Sequence, residues 1–182
     1  MESIIEAIRS AFAGTPRGAI TIHEAEVIDE YGSAEERREA RMRDTEEDWG
    51  EVPDDDIEEC TAALCHLDRE GWRYYIPAYM IWSLRNFRTS DSVVSDFTIY
   101  TFDLTHENRL LRNYQLERFS LLSQEQARAV CRFLRFMVSH DGDADGEVAQ
   151  LALDKYWGRF CNSSDEFADR PPSSPTELGG SS

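Results

Sequence analysis

Residues 66–87 read HLDREGWRYYIPAYMIWSLRNF, and no other stretch limits the fold so tightly. Ala78, Tyr79, Met80, Ile81, Trp82 and Leu84 leave almost no polar face, so a helix built from them has to be enclosed by other elements. The remaining chain must therefore supply a shell. Within the segment, residues 68–71 read as a turn and residues 73–76 as a short extended piece. Pro77 then opens the helix, a position where its missing N–H sacrifices no hydrogen bond.

The shell is legible as helical periodicity. Ile4, Ile5, Ile8 and Phe12 share one face, and Gly14, Pro16 and Gly18 end that helix. Thr21 with Glu24 forms a capping-box pattern before Val27 and Ile28, and Ser33 with Glu36 forms a second. The charged run after Ser33 has almost no apolar stripe, which makes residues 33–48 an acidic helix that is either solvated or mobile. Asp54 can cap a helix carrying Ile57, Cys60, Thr61 and Leu64. Asp91 precedes a segment through Val93, Val94, Phe97 and Tyr100 that reads as helix, with a strand as the alternative by β-propensity. Residues 103–122 read as an irregular connector. Ser123 and Gln126 cap the clearest helix, with Ala127, Val130, Cys131, Leu134, Met137 and Val138 on its apolar face. A last helix begins near Glu147, and the Pro, Ser and Gly of residues 162–182 predict a disordered tail. The expectation is an all-α, single-domain bundle of about six to eight helices over residues 1–161, with at most one short extended segment.

Charge divides the chain. Residues 1–60 hold 19 acidic and 6 basic side chains, residues 61–140 hold 8 and 10, and residues 141–182 hold 9 and 3, for a net −17. That balance opposes binding to double-stranded nucleic acid and favours solubility, cations or a basic protein partner. No apolar run of about 18 residues and no basic leader occurs, so the expectation is no membrane span and a cytoplasmic location. Cys60, Cys65, Cys131 and Cys161 are few for the length and read as reduced, mostly buried thiols. Cys60 and Cys65 lie about 140° apart on a helix, which does not suit a zinc pair, and no cofactor is expected.

The segments WGEVP, EECTAALCHLDREGWRYYIPAYMIWSLRN, ERFSLLSQEQARAVCRFLRFM and ALDKYW together resemble a family of small bacterial proteins, domain of unknown function 6714. Its hallmark resembles residues 64–84, where Trp72 here stands for a Phe and Ile76 for a Leu. The resemblance covers about residues 4–160 and implies a single bacterial domain, with no activity attached.

Three site readings compete. The acidic run couples Glu35, Glu36, Glu46, Glu47, Asp48, Asp54, Asp55, Asp56, Glu58 and Glu59 with Trp49, Val52 and Ile57, which could offer a basic protein an apolar anchor in a negative field. Inhibitors and immunity-type proteins work in this manner. In the second reading, an enzyme of unspecified reaction has a pocket near residues 72–79 that involves Arg73, Tyr75, Tyr79 and Arg85; the two arginines could instead pair with N-terminal carboxylates. His23 with Glu24 and Glu26, or Asp68 with Glu70, could serve there as acid and base, yet no catalytic motif supports either pair. The third reading is a calcium loop over residues 141–152, with Asp141, Asp143, Asp145 and Glu147 as ligands. Its twelfth position is Ala152, which has no oxygen to offer, so affinity would sit at or beyond about 10⁻³ M. A non-catalytic acidic protein-binding module is the leading expectation. Oligomeric state is not legible.

Overall fold

The computed structural model describes residues 1–104, 108–140 and 145–161. They form α1 (Glu2–Phe12), α2 (Ile22–Asp29), α3 (Ala34–Arg41), α4 (Asp54–Glu59), α5 (Ala63–His66), α6 (Arg69–Asn86), α7 (Val94–Tyr100), α8 (Arg109–Phe119), α9 (Gln124–Val138) and α10 (Gly146–Lys155). Short 3₁₀ turns cover Trp49–Glu51 and Trp157–Phe160, and no strand occurs among the described residues. The fold is all-α. Ten helices rather than six to eight arise because α4 and α5 split one expected helix at Cys60 and because α8 replaces the expected connector.

α6 is the enclosed element, with α1, α4, α5, α7 and α8 packed around it. Residues 73–76, expected to be extended, are helical, and Pro77 lies inside α6 rather than at its start. Asp68 sets the earlier start, since its Oδ1 accepts from Gly71 N at 3.2 Å. The same carboxylate accepts from the amides of Ala19 and Ile20, so it also fixes the loop before α2. An interior proline costs a helix about 3 kcal/mol. Trp72, Tyr75, Ile76 and Tyr79 are all fully buried, at about 1.5–3 kcal/mol per large apolar side chain, and that sum outweighs the proline.

α1 buries the expected stripe of Ile4, Ile5, Ile8 and Phe12 against α9 and α6. Gln126 joins three elements there. Its Oε1 accepts from Ser123 N in the expected capping box and from Arg73 Nε at 3.1 Å, while its Nε2 donates to Thr15 Oγ1. Residues 94–100 take the helical alternative, although no side chain caps α7, Asp91 included. An aromatic cluster of Trp72, Phe102, Phe119, Tyr156 and Trp157 ties α6 to α8 and to the turn after α10. Trp157 Nε1 donates to Phe102 O and Trp72 Nε1 to Thr101 Oγ1.

The expectation of four thiols is corrected for two of them: Cys131 and Cys161 are joined, with Cα atoms 5.7 Å apart. The 3₁₀ turn after α10 brings Cys161 back over α9. Cys60 is buried and free, and Cys65 is exposed and free. No helix of the described residues is long and apolar enough to cross a membrane.

Candidate functional site

The acidic N-terminal half folds so that its carboxylates sort into two populations. Those that point inward are held by cations, a ring nitrogen, a hydroxyl or, for Glu26, backbone amides. Glu24, only 5% exposed, takes a two-point fork from Arg41 at 2.6 and 2.8 Å, which pins α3 onto α2. This use of Glu24 explains why the expected Thr21 capping box does not form. Glu46 accepts the Tyr75 hydroxyl at 2.6 Å and lies 3.3 Å from Arg17. Burial first, and then that carboxylate, push the Tyr75 hydroxyl far above its ordinary range.

Asp44 is buried as well, and it holds His23 twice. Its Oδ1 meets His23 Nδ1 at 2.5 Å, and its Oδ2 accepts the His23 amide at 3.3 Å. Arg17 fixes the Asp44 backbone by donating to its carbonyl at 2.7 Å. The His23 ring is 3% exposed, and its Nε2 faces Asp56 Oδ1 at 3.9 Å without a hydrogen bond. Asp56 and Glu59, one helical turn apart on α4, bring their oxygens and His23 Nε2 within 4.8 Å of one another. These are the residues of this half that could hold a metal. Glu59 also accepts a fork from Arg43 at 2.8 and 2.9 Å, in a pair that is half exposed. Arg43 in turn holds the Glu59 carboxyl below its usual range. The field behind the site is strongly negative: burial raises the Cys60 thiol, and Glu26, Asp44, Glu59 and Asp56 raise it further.

Between Glu46 and Glu59 the outward population includes Glu47, Asp54, Asp55 and Glu58, exposed side chains with no cationic partner among the described residues. Glu35 stands 3.8 Å from Arg38, while Glu36 and Asp48 close capping boxes. Trp49 is not on this surface. It is 4% exposed and donates its indole N–H to Phe12 O at 2.9 Å, and Val52 and Ile57 are buried with it. The apolar residues of the run anchor the fold rather than a partner.

The second group of sequence candidates is dispersed. Arg73 bonds Gln126, Tyr75 bonds Glu46, and Tyr79 donates to Cys60 O at 2.5 Å from a fully buried position. Arg85 lines a cleft of about 80 Å³ with Arg9, Trp49, Val52 and Trp82. Neither Arg73 nor Arg85 is ion-paired with an N-terminal carboxylate among the described residues. None of the described cavities is lined by Trp72, Tyr75 or Tyr79. Asp68 caps α6 and Glu70 is exposed.

Of the calcium-loop residues, Asp141 and Asp143 lie outside the described residues. Asp145 is engaged as the N-cap of α10 and accepts the Tyr100 hydroxyl at 2.5 Å. Glu147 sits in the first turn of α10, and Ala152 is fully buried. The grouping of His23 with Asp44, Asp56 and Glu59 was not anticipated. His23 was expected as an acid or base and Asp56 and Glu59 as docking residues, while Asp44 carried no signal, and the partners of His23 arrive from 21 residues away and farther.

The model of a family of unknown function (DUF6714) matches residues 1–160. No curated protein and no solved structure matches the chain.

Proposed function

The chain belongs to the family of unknown function DUF6714, and since that membership prescribes no reaction, we propose from the geometry that it is a non-catalytic module whose acidic N-terminal half takes a basic protein partner. The observation that carries this reading is the sorting of the carboxylates. Glu24, Asp44 and Glu46 are each met by a guanidinium, ring or hydroxyl within the fold, whereas Glu47, Asp54, Asp55 and Glu58 stay exposed and unmatched within twelve residues around the Trp49–Glu51 turn and α4. A surface of this kind steers a basic partner and fixes its register more than it adds contact energy. With Trp49 buried, recognition is electrostatic and falls off as salt shortens the Debye length to about 3 Å at 1 M. Inhibitor and immunity-type proteins use such surfaces, and one domain over residues 1–161 belongs to the same proposal. So does a cytoplasmic setting.

The test replaces Glu47, Asp54, Asp55 and Glu58 by Lys and compares capture from lysate at low and high salt. Identification of the captured protein and titration of the purified pair follow. The expected result is a basic partner whose affinity falls by about tenfold or more in the variant and in high salt. A partner indifferent to both changes, or no partner at low salt, overturns the reading.

A further inference from the structure

We infer that His23, Asp56 and Glu59 form a binding site for a first-row divalent metal ion, with Asp44 as the residue that orients His23. His23 is 3% exposed, so neither ring nitrogen can rely on bulk water. Nδ1 is satisfied by Asp44 at 2.5 Å, an acceptor that places the ring proton on Nδ1 and leaves the Nε2 lone pair free. Nε2 has no hydrogen-bond partner. A buried lone pair held in place by a carboxylate behind the ring is the arrangement by which metal-binding histidines are oriented and made more basic.

What lies in front of Nε2 completes the site. Asp56 Oδ1 is 3.9 Å away, and an oxygen of Glu59 joins it so that the three ligand atoms fall within 4.8 Å of one another. An ion bound at about 2.0–2.2 Å holds its ligands about 3.3 Å apart in a tetrahedron. The three atoms must therefore close by about an ångström, and the mobile parts are the half-buried Asp56 and the exposed Glu59 rather than the clamped His23. Both carboxylates project from one face of α4, and small side-chain rotations achieve the closure.

Charge favours the same occupant. Asp44, Asp56 and Glu59 surround one imidazole, and Arg43 offsets only Glu59. That pair is half exposed and easily exchanged, so a cation can take one Glu59 oxygen from Arg43. One imidazole nitrogen with two carboxylates suits zinc, manganese or iron(II) better than calcium or magnesium, which prefer oxygen alone. The remaining coordination positions open outward past Asp56 and Glu59, for water or for a donor from outside.

Chelator-stripped full-length protein is titrated with Zn²⁺ by calorimetry and with Co²⁺ by visible absorption. The histidine ¹⁵N resonances are followed in parallel. One equivalent binds, and the Nε2 resonance of His23 moves. Asp56→Asn combined with Glu59→Gln, which leaves the His23–Asp44 pair and the core intact, weakens binding by at least about tenfold, and Asp44→Asn weakens it by about tenfold. Arg43→Ala binds at least as tightly as the wild type. Absence of binding at about millimolar metal, or one-equivalent binding with an unmoved His23 resonance and unchanged affinity in the Asp56 and Glu59 variant, overturns the assignment. Folding of each variant is verified by circular dichroism. None of these residues is altered in the Lys variant of the proposed docking face, so the two readings fail separately.

Discussion

Arg118 donates to the Leu67 carbonyl at 2.6 Å and to the Leu64 carbonyl at 3.1 Å, so a guanidinium on α8 closes the C-terminal end of α5. The residue is 3% exposed, and its planar group lies 4.6 Å over the Tyr114 ring. Carbonyls at a helix end carry partial negative charge, and a buried cation is the strongest partner they can have. Arg118→Ala is expected to lower unfolding free energy by about 2–4 kcal/mol in urea denaturation. Arg118→Lys is expected to recover less than half of this, because a single nitrogen cannot occupy the two positions from which Nη1 and Nη2 reach Leu64 O and Leu67 O.

Gly71 lies in the first turn of α6, where the chain of residues 18–20 crosses it. A Cβ at Gly71 would sit 2.8 Å from Ile20 O, and one at Gly18 would collide with the Gly71 amide. In an exposed helix, Gly→Ala stabilises by about 1 kcal/mol. Here the sign reverses, and Gly71→Ala is expected to destabilise by about 2 kcal/mol or more by chemical denaturation, since backbone has to move against backbone.

Glu24 and Arg41 form an unequal pair, one carboxylate buried and one guanidinium half exposed. Removing Arg41 alone strands a buried charge. Arg41→Ala is expected to lose about 3 kcal/mol, and adding Glu24→Gln to restore part of that loss, because a neutral amide tolerates the site. Helix α3 buries only Ala40, so its amides should lose hydrogen-exchange protection first.

Glu26 gives a pH signature. Burial first, then the charge of Asp29, raise its carboxyl above the ordinary value, with the amides of Ala62 and Ala63 partly offsetting them. The folded protein thus holds this proton more tightly than the unfolded chain. Stability from this group falls as pH rises from about 4.3, the unfolded value, through the folded one, and the loss persists above it. Glu26→Gln is expected to melt at a higher temperature than the wild type at pH 8, with the gap closing as pH falls towards 4.

These sites differ in how far sequence discloses them. Helices α1 and α9 were legible because periodicity and capping residues agree: Ile4, Ile5, Ile8 and Phe12 share a stripe, and Ser123 with Gln126 closes a box. Helix α8 was hidden because its polarity is inverted. Leu110 and Leu111 face outward, while Gln115 and Arg118 are buried. Pro77 misdirected the reading of α6, because its cost is local while the burial that overrides it depends on five neighbouring helices. The acidic run was read as one surface, yet pairings with Arg17, His23, Arg41, Arg43 and Tyr75 divide it into an interior and an exterior. Such pairings span 16 to 29 residues, and no local pattern specifies them.

The bond from Gln126 to Thr15 spans 111 residues, and that from Arg132 to Ser3 spans 129. Helix α1 is thus synthesised well before α9, one of the helices that seat it. Until α9 has left the ribosome, Ile4, Ile5, Ile8 and Phe12 have at most the α6 side of their native cover. A nascent chain therefore carries α1 only partly covered until α9 follows it, an apolar stripe that a chaperone can meet before the fold claims it.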